Sequence, residues 1–353
     1  MHVKLHKPQL ADALQTVAKV VEKRTYHQFV ELTTSGEYLM LRATNLERFL
    51  TIKVPVEECY GEFSVCVDAD KFAKLVKELD NEIIIEPSKT YLLVKSGSTK
   101  AKLLVSDYEL PEFPEPVYDV EFEAKPLLKA IERVSFAISS NHDHLKYLVI
   151  DGKGGKTNFV GSDGYRLAIY EYPLNFDKQF KLHISGLTVL KDLLDDVDTV
   201  KLGATENMTF IATELWELAL RNTESNYPDY EAVIPSDYSC EVVFNAEEMS
   251  KALKKLLVFG KDAAAVEMLV GGAEIILKTQ SPDYGDIEVN MPVLEVSGEM
   301  HIAFNGKYLK EFIDNADGRI VMKLVDAESA MVFREHNDVN HADYVYVLMP
   351  MRL

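Results

Sequence analysis

Two short stretches of this 353-residue chain carry residues of the kind that bind phosphate or metal ions. Residues 152–156, Gly-Lys-Gly-Gly-Lys, supply glycines and lysines, but they lack the complete P-loop pattern and are predicted to form a hairpin turn. His142, Asp143 and His144 could begin a metal site, yet no third or fourth ligand stands at a familiar spacing. The sequence therefore predicts neither a bound metal nor a cofactor.

Residues suited to nucleophilic or acid–base catalysis are also incomplete. Residues 162–164, Ser-Asp-Gly, lack the flanking glycines of a nucleophile elbow, and no histidine is placed to orient the serine. The acid pairs at 195–196 and 247–248 are predicted at helix ends, where charge capping explains them. We expect a protein that is not an enzyme, and an enzyme remains the alternative class.

Another set of charged side chains recurs in a strand–helix unit that occurs six times. Each lies at the seventh residue after the last residue of the strand. The occupants of that position are Asp12, Lys74, Lys129, Lys191, Lys251 and Glu311. Four lysines in six stand out in a chain with 57 acidic and 38 basic residues. Lysines in such a row could neutralise phosphates without reading bases. From the helices alone, a solvated helix face is the simpler explanation of these lysines.

The repeated unit is a strand followed by a helix. Residues 63–68, 180–185 and 300–305 alternate apolar and polar residues and end in Asp68, Ser185 and Asn305. Each alternation predicts a half-buried strand, and each final side chain is suited to cap a helix. The three caps are 117 and 120 residues apart, which indicates internal duplication.

Apolar residues after each strand follow a helical spacing. The fifth and ninth residues after the last strand residue share a helix face, so both are predicted to be buried. The six sets are Leu5, Leu10 and Leu14; Val67, Phe72 and Val76; Phe122, Leu127 and Ile131; Ile184, Val189 and Leu193; Phe244, Met249 and Leu253; and Phe304, Leu309 and Ile313.

The copies pair into three predicted domains of α+β class, at residues 1–117, 118–237 and 238–353. Proline-rich stretches at 110–116 and 227–235 are predicted to be stiff connectors between them. An open row of such domains would leave sheet edges exposed, and a head-to-tail ring would remove them. Both arrangements remain open from the repeat alone.

Composition limits the class of protein. Apolar residues make up 47% and charged residues 27%, so the whole length can fold. A formal charge of −19 argues against a general attraction to nucleic acid, although cations gathered on one surface could still bind it. With no signal peptide and no long apolar run, we expect a soluble cytoplasmic protein without membrane contact. The three cysteines, Cys59, Cys66 and Cys240, have no metal-type CxxC spacing and are expected to be free thiols.

The last residues of the chain are unusually apolar. Val347 and Leu348 are expected to finish a strand, but Met349, Pro350 and Met351 cannot simply extend it. Exposed apolar residues of this kind predict the wall of a binding groove, and methionine suits a surface that accepts several partners.

The tail and two internal motifs together carry a family resemblance. The tail at 347–353, Val-Leu-Met-Pro-Met-Arg-Leu, resembles the end of the bacterial sliding clamp, the beta subunit of DNA polymerase III. Residues 161–168, Gly-Ser-Asp-Gly-Tyr-Arg-Leu-Ala, and 227–230, Tyr-Pro-Asp-Tyr, are similar to motifs of its second domain. The resemblance implies three topologically similar domains with outer antiparallel sheets and two inner helices each, closed by two chains into a head-to-tail dimeric ring.

The resemblance also implies partners and site residues. It implies a non-catalytic processivity factor for DNA replication that encircles double-stranded DNA without sequence specificity. A groove would receive short linear peptides from the polymerase III catalytic subunit, the clamp loader, other polymerases and repair proteins. The alternative is a repeat-built peptide-binding scaffold that does not act on DNA. In this chain Tyr165 and Ala232 stand where the family often has His and Arg.

The implied residues fall into three sets. The groove set is Leu145, Ser162, Gly164, Tyr165, Arg166, Leu167, Pro228, Val233, Asn305, Tyr308, Val347, Leu348, Met349, Pro350, Met351, Arg352 and Leu353. The DNA-facing set is Lys19, Lys23, Arg24, Lys71, Lys74, Lys125, Lys129, Arg133, Lys191, Lys251, Lys254 and Lys255. The dimer-contact set is Leu103 and Val105 of one chain with Leu257 and Val258 of the other.

Overall fold

The computed structural model describes residues 1–23, 25–223, 226–259, 265–336 and 343–352. The helices within these ranges are α1 (Lys7–Val20), α2 (Ala69–Lys77), α3 (Ala124–Val134), α4 (Ile184–Leu193), α5 (Ala246–Leu256) and α6 (Gly306–Ile313). The strands of the first third are β1 (His2–His6), β2 (Phe29–Ser35), β3 (Tyr38–Thr44), β4 (Arg48–Pro55), β5 (Glu58–Tyr60), β6 (Ser64–Asp68), β7 (Glu82–Pro87), β8 (Tyr91–Ser96) and β9 (Thr99–Ser106). The next are β10 (Val120–Glu123), β11 (Tyr147–Lys153), β12 (Lys156–Ser162), β13 (Arg166–Tyr172), β14 (Gln179–His183), β15 (Thr199–Ala204), β16 (Met208–Ala212) and β17 (Trp216–Arg221). The last are β18 (Cys240–Asn245), β19 (Ala265–Gly271), β20 (Glu274–Ser281), β21 (Gly285–Pro292), β22 (Glu295–Ser297), β23 (Met300–Asn305), β24 (Arg319–Leu324), β25 (Met331–His336) and β26 (Asp343–Leu348).

The order of these elements repeats one unit six times. Each unit is a strand, a helix and then three strands that form an antiparallel meander. Of the strands among the described residues, only β5 and β22, of three residues each, stand outside this pattern. The predicted sixfold repeat is therefore present, with three strands in each copy that periodicity alone did not resolve.

The predicted core positions of the six helices are buried. Helix positions such as Leu10, Phe72 and Met249 have no exposed surface, because residues four apart lie on the face that packs against the sheet. Helices other than α4 begin two residues after the last strand residue of the template. Since α4 begins at Ile184, Ser185 lies inside its first turn, and the prediction that it caps the helix is wrong.

Two of the predicted caps are confirmed. The Asp68 carboxylate accepts the amide hydrogen of Lys71 at 2.9 Å, and Asn305 Oδ1 accepts those of Lys307 at 3.0 Å and Tyr308 at 3.3 Å. Asn245 caps α5 in the same way through the amide of Glu247 at 2.9 Å. These bonds satisfy amides that a helix start otherwise leaves without a partner.

Paired copies exchange their first strands. The first strand β1 pairs with β7 of the second copy, and β6 pairs with β2 of the first. The third and fourth copies exchange β10 and β14 in the same way, and the fifth and sixth exchange β18 and β23. This interleaving ties each pair of copies together by backbone hydrogen bonds.

The chain divides into two compact units, each with its own sheets. The first unit, residues 1–128 and 185–224, holds a 13-stranded sheet in the order β10-β15-β16-β17-β4-β3-β2-β6-β9-β8-β7-β1-β5. The second unit, residues 129–184 and 225–353, holds a nine-stranded sheet, β14-β11-β12-β13-β26-β25-β24-β18-β22, and a four-stranded sheet, β21-β20-β19-β23. The borders of the three predicted domains stay a prediction.

Smaller predictions concern turns, thiols and membrane contact. Residues 152–156 form the hairpin between β11 and β12, and Gly154 and Gly155 take the positive φ values of 63° and 85° that this turn requires. Cys59, Cys66 and Cys240 are free thiols. Among the described residues, no helix is both long and apolar enough to span a membrane.

Candidate functional site: an apolar groove and cationic helix faces

The second unit contains a cavity of about 270 Å³ beside β13 and the end of β26. Its lining includes ten of the residues implied by the resemblance: Leu145, Ser162, Gly164, Tyr165, Arg166, Leu167, Pro228, Val233, Val347 and Met349. Leu145, Leu167 and Val347 are buried in its wall, whereas Tyr165, Val233 and Met349 are 61%, 51% and 43% exposed. A buried apolar floor with an exposed apolar rim suits the insertion of apolar side chains from a partner.

The turn before β13 shapes one end of this groove. Ser162 Oγ donates to the carbonyl of Arg166 at 2.7 Å and accepts the amide hydrogen of Gly164 at 3.2 Å. Asp163 Oδ1 accepts the amide hydrogens of Tyr165 and Arg166 at 3.0 and 3.1 Å. Gly164 has a φ of 91°, which other residues adopt only with strain. The serine and aspartate therefore build a turn, and neither is placed as a nucleophile.

Arg166 is held rigidly behind the groove. Its Nε donates to Asp163 Oδ2 at 3.0 Å, its Nη1 to the carboxylate of Glu311, and its Nη2 to the carbonyl of Phe136 at 2.6 Å. The guanidinium also stacks on the Tyr308 ring at 4.1 Å. Burial by itself lowers the pKa of Arg166, but the bond to Glu311 and the nearby charges keep it above its ordinary value. Arg166 is therefore a fixed cation that supports the groove wall.

The other residues implied for the groove lie elsewhere. Leu348 is fully buried in the sheet, Asn305 caps α6, and Tyr308 packs on Arg166, so these three do not line the groove cavity. A neighbouring cavity of about 590 Å³ is lined by Ala327, Glu328, Met349, Pro350, Met351 and Arg352. Met349 lines both cavities, so the tail connects them. Leu353 lies outside the described residues.

Four lining residues were not predicted: His144, Tyr227, Asp229 and Tyr230. The Tyr230 hydroxyl donates to Asp151 Oδ2 at 2.7 Å and accepts from Asn158 Nδ2 at 3.0 Å, which anchors the connector at 227–235 to the sheet. Burial raises the pKa of Tyr230, so the phenol remains a donor. Tyr227, Asp229 and Tyr230 belong to the motif at 227–230, of which only Pro228 was predicted to line the groove.

Most of the lysines predicted to face DNA are exposed on the helices or just beyond them. The exposed members are Lys23, Lys71, Lys74, Lys125, Lys129, Lys191, Lys251, Lys254 and Lys255, while Lys19 is half-buried. Arg24 lies outside the described residues. Within the described part of the chain, Lys71, Lys125, Lys191, Lys254 and Lys255 have no carboxylate within 4.0 Å.

Several of the remaining lysines are partly neutralised. Asp70 lies 2.6 Å from Lys74 and 2.9 Å from Lys23, and these bonds, that of Lys74 first, lower the pKa of Asp70 to about 2. Glu247 and Glu248 lie 2.9 and 3.0 Å from Lys251. Exposed pairs of this kind are weak and are broken easily by a competing phosphate.

Arg133 does not belong to the exposed set. It is only 5% exposed, binds the buried carboxylate of Glu335, and donates to Asp317 at 3.2 Å. Its guanidinium lies 4.8 Å from the Tyr344 ring centre. The prediction that Arg133 faces DNA is withdrawn, because a long-range ion pair holds its side chain inside the second unit.

Glu311 is an acidic exception in the row of lysines, and the structure explains it. Its carboxylate binds Arg166, so this position serves the groove wall in the sixth copy. Asp12 is exposed on α1, and among the described residues no cationic side chain pairs with it.

The residues predicted for the dimer contact are exposed to different degrees. Leu103, Val105 and Leu257 are half-buried, and Val258 is 77% exposed. Leu104, which was not predicted, is 83% exposed. Leu104 is exposed while Leu103 and Val105 are half-buried because neighbouring residues of strand β9 point to opposite faces.

The candidate metal ligands are not brought together in the described part of the chain. Across the described ranges, no three His, Cys, Asp or Glu side chains are placed to hold a metal ion. His142 instead contacts Ser139, with 3.3 Å between its Nδ1 and the Ser139 Oγ.

Comparisons with known proteins agree with this geometry. A model of the N-terminal domain of the DNA polymerase III beta subunit matches residues 1–120, and a model of its C-terminal domain matches residues 231–352. The beta sliding clamp of Pseudomonas aeruginosa is 25% identical over the full length of both chains. The beta subunit of Thermotoga maritima is 24% identical, with a TM-score of 0.92 over 100% of this chain and 99% of the other. A Pseudomonas aeruginosa clamp bound to griselimycin is 25% identical, with the same TM-score over both full chains.

Proposed function

The chain belongs to the family of DNA polymerase III beta subunits, the beta sliding clamps, and we propose that two copies close around duplex DNA and tether replication proteins to it. Sliding clamps are non-catalytic, so the function consists of binding alone. The single observation that carries the proposal is the apolar groove, whose lining includes ten of the residues that the family resemblance implies. The three clamp domains of each copy are proposed to span residues 1–117, 118–237 and 238–353.

The exposed helix lysines support contact with DNA. Cations that neutralise phosphates bind any sequence and release the duplex as salt rises. Five of these lysines have no acidic partner within the described residues, so their charge is available to a phosphate. The excess of acid elsewhere would keep the duplex from binding to other surfaces.

Charge reversal of the lysines tests this contact. We expect Lys71, Lys125, Lys191 and Lys254 changed together to Glu to abolish loader-dependent retention on circular DNA. The matched control changes four exposed lysines off the helices, Lys89, Lys153, Lys156 and Lys201, by the same charge. Equal loss in both variants, or no loss in either, contradicts the DNA assignment and favours a peptide-binding scaffold.

Ring closure is supported by a repeated strand pairing. The last strand of the first copy, β4, pairs with β17, and the last strand of the third copy, β13, pairs with β26. The matching strand of the fifth copy is β21, which pairs only with β20 among the described residues. Within the described ranges, residues 99–104 of β9 also have a strand partner on one side only. We infer that β21 of one chain pairs with β9 of the other.

Charges on these two edges are complementary. The β9 edge carries Lys100 and Lys102, and β21 carries Asp286 and Glu288. We expect Lys100 and Lys102 changed together to Glu to give a monomer by mass measurement in solution. Adding Asp286 and Glu288 changed to Lys should restore the dimer. If the variant with Lys100 and Lys102 changed to Glu is still a dimer, this pairing is contradicted. If the wild-type protein is itself a monomer, the ring is contradicted.

The groove is proposed to bind short linear peptides from the polymerase III catalytic subunit, the clamp loader, other polymerases and repair proteins. Two buried apolar anchors contribute about 1.5–3 kcal/mol each, which gives weak and exchangeable binding. Exchange allows several partners to share one tether. Deleting residues 349–353 should abolish binding of such a peptide while the dimer mass stays unchanged. Unchanged peptide affinity contradicts the assignment of the groove.

A further inference from the structure

Arg48, the first residue of β4, joins the ends of two helices. Its Nη1 donates to the carbonyl of Lys19 at 3.0 Å and to that of Ser185 at 3.1 Å, and its Nη2 donates to the carbonyl of Val20 at 3.5 Å. Lys19 and Val20 are the last residues of α1, and Ser185 lies in the first turn of α4. One side chain therefore connects helices that are far apart in the sequence.

The arrangement around Arg48 is chemically specific. Among the described residues no carboxylate lies within 4.0 Å of its guanidinium, and burial lowers its pKa. Helix carbonyls stabilise the cation instead, because the end of α1 carries the negative pole of the helix dipole. Lysine could not replace it, since a single ammonium does not have the fork of donors that reaches three carbonyls.

A second link lies beside the first. The Lys19 ammonium binds the carboxylate of Asp192 on α4, so α1 and α4 are held together at two points. Lys23 follows the end of α1, and Lys191 precedes Asp192; both lysines are exposed. The distance between these two cations therefore depends on how firmly α1 and α4 are joined.

We propose that Arg48 is a positioning residue for DNA binding, which touches no phosphate and sets the spacing between Lys23 and Lys191. The inference rests on the proposed function of the helix lysines. It is supported by an equivalent link in the second unit, where Arg166, 118 residues later and also the first residue of its strand, joins the carbonyl of Phe136 to Glu311 of α6. An arginine at the start of a strand therefore links separate elements in both copies. Arg166 supports the groove, and Arg48 positions the lysines.

The test compares the salt dependence of DNA binding between variants. A short fluorescent duplex is titrated with the dimer at several salt concentrations, and the slope of log K against log salt is measured. Each lost phosphate contact lowers the slope by about 0.9. We expect Arg48→Lys to lower it by about one to two contacts. Where circular dichroism shows a constant folded fraction over the salt range, that fraction shifts log K by a constant and leaves the slope unchanged, so a merely structural role would not move it.

Two further variants make the result decisive. Arg42→Lys is the matched control, because Arg42 is a part-buried arginine of the neighbouring strand β3 that pairs with Glu31 at 3.0 Å, and it should keep the wild-type slope. Adding Lys23→Gln and Lys191→Gln to Arg48→Lys should lower the slope no further than the two lysine changes alone.

Each outcome has one meaning. A wild-type slope in Arg48→Lys overturns the positioning role, and so does a loss that adds fully to that of the lysine changes. A flat salt dependence in the wild-type dimer overturns the proposed DNA function itself, which distinguishes the two failures.

Discussion

The turn before β4 and the turn before β13 are built by the same hydrogen bonds and differ in their side chains. In each, a hydroxyl accepts the amide hydrogen two residues on, and an Asn or Asp oxygen accepts the amide hydrogen of the arginine that begins the strand. The two sets of residues are Thr44, Asn45, Leu46 and Arg48, and Ser162, Asp163, Gly164 and Arg166. Duplication has therefore preserved the backbone of the turn.

The side chains around the two turns give opposite surfaces. At the second turn the Met349 amide donates to the Tyr165 carbonyl at 2.9 Å, and the Met349 side chain lines the groove. At the first turn the Arg221 amide donates to the Glu47 carbonyl at 2.9 Å in the same way. The Arg221 side chain differs from that of Met349, because its Nε donates to the Leu46 carbonyl at 3.1 Å. A few side chains therefore distinguish the turn that borders the apolar groove from its repeated counterpart.

Met349→Arg should make the second turn resemble the first and gives the largest expected effect. Losing an apolar wall and placing a cation there should cost about 2–3 kcal/mol of peptide binding, or about 30- to 150-fold in affinity. Fluorescence anisotropy of a labelled partner peptide measures this, with the dimer mass as the control for folding. Wild-type affinity would show that the comparison of the turns does not explain the groove.

Gly164→Leu should copy the first turn in another way, because Leu46 occupies the equivalent position. A side chain at a φ of 91° costs about 1–2 kcal/mol, so the midpoint of urea unfolding should fall. The new side chain would also approach Leu145, whose Cδ1 lies 3.8 Å from the position of the added Cβ. Unfolding followed by circular dichroism checks the prediction, and an unchanged midpoint contradicts it.

Leu46→Gly is the reverse exchange and should raise the free energy of unfolding slightly. Leu46 has a φ of 73°, and relief of this strain outweighs the extra chain entropy of glycine by about 0.5 kcal/mol. The same urea measurement applies. A loss of stability would mean that the Leu46 side chain contributes packing that its partial exposure does not indicate.

Arg221→Met should have the smallest effect. The side chain is about half exposed, so losing its bond to Leu46 and its 3.9 Å contact with Glu47 should cost at most about 0.5 kcal/mol. Peptide binding at the first turn is not expected, since Leu46 and Glu47 remain. A second peptide site in a titration of stoichiometry would show that Arg221 alone keeps this turn closed.

The groove could be predicted only in part. Leu145, Pro228 and Val347 followed from motifs of the family, and the structure places them together. Tyr230 belongs to the motif at 227–230, but its role in the groove was not predicted, because that role depends on hydrogen bonds to Asp151 and Asn158, more than 70 residues away in the sequence. Leu348 was included wrongly, because its neighbours in the sequence line the groove while strand alternation turns its own side chain into the core.

By itself the sequence determined the sixfold repeat, the buried faces of its helices and the caps at Asp68 and Asn305, because these depend on residues only a few positions apart. Only the tertiary structure decided which of Lys129 and Arg133 is exposed. They are four residues apart on α3, yet Lys129 is exposed and Arg133 is buried against Glu335. The attraction that buries Arg133 comes from a carboxylate 202 residues away, which no local spacing can indicate.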